Sequence, residues 1–92
     1  MDHFKRLRSV NRDEVEQMAI YAMCRRFKRL DERQQAEIRA LIADIAMSER
    51  EGRALFLFLT TGMTFLAVTS RCCVPEGRLN RMRAEFFRRW EW

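Results

Sequence analysis

Histidine is almost missing from this 92-residue chain, His3 being the only one. General acid–base and nucleophilic catalysis want His, Cys or paired carboxylates held in a rigid frame. His3, at the edge of the sequence, offers no such frame. Cysteine is scarce too, with Cys24, Cys72 and Cys73 only. An odd number without a regular framework argues against a secreted disulfide scaffold. Adjacent Cys72 and Cys73 lack the spacing of a zinc site, which needs about four ligands. Glycine occurs three times, as Gly52, Gly62 and Gly77, and matches neither a dinucleotide fingerprint nor a P-loop. Ser48, Thr60 and Thr61 have no base beside them in the sequence. The expectation is a non-enzyme with no catalytic residues, no metal and no cofactor.

Other absences narrow the fold. No stretch alternates apolar and polar residues at period two, so no sheet is expected. There is no internal repeat and no low-complexity segment. The first residues, MDHFKRLRSVNRDEVE, contain no apolar core of the signal-peptide type. With thiols read as reduced, a cytoplasmic location is the expectation.

Apolar residues make up 48% of the chain and charged residues 34%, a globular balance rather than a disordered one. Ninety-two residues make a single domain with a modest core. The net charge is +5, unevenly spread. Residues 1–30 hold eight basic against four acidic residues, 31–51 three against six, and 52–92 seven against three. Two basic ends therefore flank an acidic middle, which favours an anionic partner or a plainly solvated surface.

The longest uncharged run is ALFLFLTTGMTFLAVTS, from Ala54 to Ser70, between Arg53 and Arg71. Its length sits at the lower edge of a membrane span, for which about 17–25 residues are needed. On a helical wheel Arg53, Thr60, Thr64 and Arg71 fall within about 20° of one line, opposite Gly62. A polar line in register with both arginines favours the buried axis of a soluble bundle over a span. Gly62 is then expected as a close-packing point for the small face Ala36, Ala40 and Ala43 of a neighbouring helix.

Caps and periodicity predict an all-α domain of about four helices, approximately 11–30, 32–47, 49–72 and 76–90. Residues 1–10 form a basic arm or a short helix, and the third helix is central. Asn11 reads as the first N-cap, and Asp31 with Gln34 as a capping box. Ser48 with Glu51 reads as a second box, and Pro75 as a helix-starting proline. Ile20, Met23, Phe27 and Leu30 form one apolar stripe, and Leu79, Met82, Phe86 and Trp90 another.

Function is expected in surfaces. The last helix is short, aromatic and basic, and its stripe either closes the bundle or docks on a partner. Arg78, Arg81, Arg83, Phe87, Arg88, Arg89, Trp90 and Trp92 are the candidate partner-binding residues, since Trp, Arg and Phe suit interface hot spots. Lys5, Arg6, Arg8 and Arg12 are a candidate anion-binding cluster. These features favour a small regulatory or inhibitory protein that binds a larger protein partner, as short arginine-rich chains of phages and mobile elements do. A homodimer is expected as well, because the second helix offers two apolar faces. The alternatives are a nucleic-acid-binding regulator using the basic arm and last helix, and a small single-span membrane protein.

Overall fold

The computed structural model describes residues 12–91, and within them the chain is all-α, with no strand. Five α-helices follow in order: α1 (Glu14–Arg25), α2 (Glu32–Ile45), α3 (Glu49–Thr61), α4 (Phe65–Cys72) and α5 (Glu76–Arg89). A 3-10 turn, Phe27–Arg29, joins α1 to α2.

The caps explain most of these limits. Asp13 begins α1, its carboxylate accepting the Glu16 N–H at 2.8 Å. The N-cap is therefore Asp13 rather than Asn11, which lies outside the described residues. At α2 the Asp31 carboxylate accepts the Gln34 N–H, and the Gln34 amide oxygen accepts the Asp31 N–H in return. Ser48 Oγ accepts the Glu51 N–H at the start of α3. Pro75 stands just before α5, where a missing N–H costs nothing.

The expected helices run past their observed ends, α2 by two residues, α5 by one, and the first and third by more. The first ends at Arg25, and the 3-10 turn after it swings Phe27 inward against Phe56, edge-to-face at 5.0 Å. Gln35 holds that turn by donating to the Phe27 and Leu30 carbonyls. The expected third helix is broken in two. Gly62 adopts φ +78°, the left-handed region that ends helices and suits glycine, and Thr64 then caps α4 by accepting the Ala67 N–H. The continuous helix over 49–72 is thus corrected to a pair, and the described residues hold five α-helices rather than four. None of the helices among the described residues is long and apolar enough to cross a membrane.

The central role expected for the third helix belongs to α3, which packs against each of the other four. Ala54, Leu55 and Leu59 have no exposed surface, and Phe58 is buried beside them. Burying a side chain of Leu or Phe size contributes about 1.5–3 kcal/mol. The α5 stripe closes the opposite side: Leu79, Met82 and Phe86 are fully buried, and Trp90 is 4% exposed with its ring 5.5 Å from Phe86.

Candidate functional site

The arginines of α5 were the first candidates, and the fold gives most of them internal partners. Arg78 donates from Nε and Nη2 to both oxygens of Glu51, at 3.0 and 2.9 Å, and from Nη2 to the Ile45 carbonyl at 3.3 Å. Hydrogen bonds from Arg78, then from the Met47 N–H, hold the Glu51 carboxyl below its ordinary range. Arg83 lies over the Phe58 and Phe65 rings, 5.4 and 5.0 Å from their centroids. Its Nη2 donates to Asn80 at 2.6 Å, and its buried Nε has no partner among the described residues. Burial lowers its pKa, because a charged guanidinium loses water there. Arg88 pairs with Glu85, and Arg89 with Asp44 at 3.5 Å. Arg81 stays exposed with no ion pair among the described residues.

Two of the three aromatic candidates on that surface, Phe87 and Trp90, are buried. They are 1% and 4% exposed and belong to the core. Trp92 lies outside the described residues, as do Lys5, Arg6 and Arg8 of the expected anion cluster. Arg12, the remaining member, is already engaged. It donates to the Phe87 carbonyl at 2.8 Å and to the Trp90 carbonyl, tying the start of the described chain to the end of α5. These carbonyls belong to the last turn of a helix, which leaves its final C=O groups without intrahelical donors.

The packing proposed for Gly62 with Ala36, Ala40 and Ala43 is also corrected. Gly62 is a helix terminator at the surface, and the atoms nearest to a Cβ added there belong to the Arg25 guanidinium. The alanines point to solvent. The helix buries Ile38, Ile42 and Ile45 instead, and its second apolar face has no partner among the described residues.

That open face continues into a groove of about 630 Å³ between α2 and α3. Ile42, Ala43, Ala46, Met47, Gly52 and Phe56 supply its apolar lining, with Arg39 and Arg53 among its polar residues. Met47 is 84% exposed, the most open large apolar side chain described. Its backbone is nevertheless fixed, because the Met47 N–H donates to Glu51 Oε1 at 2.9 Å and Glu51 is clamped by Arg78. Gly52 keeps the floor low: an added Cβ would sit 3.6 Å from Ala46 Cβ, at ordinary contact. Arg39 lies over the Phe27 and Phe56 rings, 5.2 and 5.9 Å from their centroids.

The sequence did carry a signal for this groove. Ala36, Ala40, Ala43 and Met47 form one face at helical spacing, which periodicity identifies without saying whether it is covered. The stacked Arg39 gave no signal, since the rings beneath it come from the 3-10 turn and from α3.

A second, more polar hollow between α2 and the end of α5 is lined by charges of both signs, including the Arg33–Glu37 and Arg89–Asp44 pairs. Its charges answer one another and assemble no reactive group. Among the described residues no cluster of three His, Cys, Asp or Glu side chains could hold a metal. Burial pushes the Cys24 thiol up to about 12, so it stays protonated and unreactive, whereas Cys73 is exposed. Comparison with protein families, curated proteins and solved structures gives no match to this chain.

Proposed function

We propose that this chain is a small non-enzymatic binding protein that regulates or inhibits a larger protein by docking on it through the α2–α3 groove. The observation that carries this reading is Met47: a long apolar side chain 84% exposed, on a backbone fixed by Glu51 and Arg78, beside the open Ala36–Ala40–Ala43 face. An exposed apolar side chain at the rim of an apolar groove offers a place for a partner to dock. Fixing it on a rigid corner lowers the ordering cost of association. A groove between two helices accepts the apolar stripe of a partner helix, which inserts residues at i, i+3, i+4 and i+7. Methionine suits such a groove because its side chain adapts to irregular shapes.

The test is paired capture from the native host with wild-type chain and with Met47→Asp. Met47 is exposed, so the variant keeps its fold and its thermal midpoint. A partner retained by wild type and lost from the variant supports the groove. The same partner retained by both removes it.

A second reading has its own observation. Arg25, Arg26, Lys28 and Arg29 are all exposed at the end of α1, with no ion pair among the described residues. Such a cationic end would bind nucleic-acid phosphates with a steep salt dependence. A gel shift that survives physiological salt, and is lost in Arg26→Glu with Arg29→Glu, would favour it over the groove.

A further inference from the structure

The described arginines divide into those with an ion-pair partner and those without. Arg12, Arg33, Arg78, Arg88 and Arg89 each have a carboxylate within ion-pair distance. Arg39 and Arg53, which line the α2–α3 groove, have none among the described residues. Neither makes a hydrogen bond through its guanidinium to another described residue. Arg39 Cζ lies 5.2 and 5.9 Å from the Phe27 and Phe56 ring centroids, a cation–π contact that consumes none of its N–H donors. Arg53 stands one turn before Phe56 on the other wall, on α3. Glu49 is the acidic residue that the groove includes.

We infer that the occupant of the groove is a partner helix whose apolar stripe is flanked by carboxylates, and that Arg39 and Arg53 select it. This rests on the groove being the docking site. Guanidinium N–H forks match carboxylates in a two-pronged geometry that a point charge does not reproduce. Apolar side chains entering between Ala43, Met47 and Phe56 would exclude water, and the flanking Asp or Glu residues would then meet Arg39 and Arg53 at the rim. Charge complementarity argues against a second copy of this chain as occupant. In a two-fold contact through the same groove, a copy would bring its own Arg39 and Arg53 against this pair. Like charges facing each other disfavour association.

The probes are two synthetic amphipathic peptides of about 16 residues, roughly four helical turns, sharing one Leu stripe and differing only in flanks of Glu or Lys. Each is titrated into the full-length, nitrogen-15-labelled chain. The Glu peptide is expected to bind at least about tenfold more tightly at low salt, with the advantage shrinking as salt rises. Amide shifts should concentrate between Arg39 and Phe56. Arg53→Glu should reverse the preference, and Arg39→Gln should weaken it. Arg53 is the cleaner variant, because Arg39 also covers two rings; a folded Arg53→Glu that leaves the preference unchanged overturns the inference.

The remaining outcomes separate this inference from the reading beneath it. Equal binding of both peptides in the groove overturns carboxylate selection and leaves the groove as a docking site. Shifts confined to Arg25–Arg29 overturn it by placing the acidic peptide elsewhere. Concentration-dependent shifts at Ala36–Met47 without peptide make a second copy the occupant and overturn it. No binding of either peptide, with no shift in the groove, overturns both.

Discussion

Breaking the Glu51–Arg78 clamp should cost this protein a measurable part of its stability, and the loss should depend on pH. The pair joins the α2–α3 corner to α5, with two donor–acceptor contacts of 3.0 and 2.9 Å and side chains about four-fifths buried, at 22% and 20% exposure. Hydrogen bonds to charged groups contribute about 1.5–3 kcal/mol, and exposed ion pairs about 0–1 kcal/mol. A coupling of about 1–2 kcal/mol follows for a pair between those limits. Arg78→Ala alone should cost about 2–3 kcal/mol, since it also strips a donor from the Ile45 carbonyl. For a domain of this size each kcal/mol moves Tm by about 4–8 °C. The assay is a double-mutant cycle by urea unfolding with Glu51→Ala, Arg78→Ala and the double variant. The Glu51 pKa in the fold lies below its ordinary 4.5. The coupling is therefore fully present above that ordinary value and is lost as pH falls through the lower folded value. A coupling within about 0.3 kcal/mol of zero at pH 7, the usual error of additivity, would refute the reasoning. So would a coupling that survives complete acidification.

Four further outcomes are expected. Gly62→Ala should destabilise by about 1–2 kcal/mol, from the left-handed φ and not from helix packing, since the Arg25 guanidinium can swing aside; an unchanged Tm would refute it. Gly52→Ala should stabilise by about 0.5–1 kcal/mol, because the new methyl sits at ordinary contact inside a helix; a lower Tm would show that the groove floor cannot take it. Trp90→Ala should cost about 3–5 kcal/mol as a core truncation, and a variant with wild-type stability would return Trp90 to the surface. A thiol reagent at pH 8 should label Cys73 first and reach Cys24 only on unfolding; early labelling of Cys24, followed by mass spectrometry, would contradict its burial.

Local chemistry made most helix starts legible. Asp31–Gln34, Ser48–Glu51 and Pro75 mark the beginnings of α2, α3 and α5, because the cap uses atoms only a few residues apart. The α5 stripe was equally plain, and Leu79, Met82, Phe86 and Trp90 are all buried. Gly62 misled. Periodicity treats a glycine within a long apolar run as a helical residue, and the wheel of Arg53, Thr60, Thr64 and Arg71 assumed an unbroken helix. Its left-handed backbone, which no pattern of side chains encodes, cut that wheel in two.

The sequence by itself determined the all-α class, the caps and the apolar stripes, since each depends on neighbours three or four residues apart. It could not determine which arginines are spent. Arg78 and Glu51 are 27 positions apart, and Arg12 reaches carbonyls 75 and 78 positions away. Such pairs exist only once the helices have packed. For the same reason only the tertiary structure decided that α2 buries its isoleucines and leaves Ala36, Ala40 and Ala43 open, with Met47 exposed just beyond its end. The core has room for one of the helix's two apolar faces, and the larger one, burying more surface, takes it.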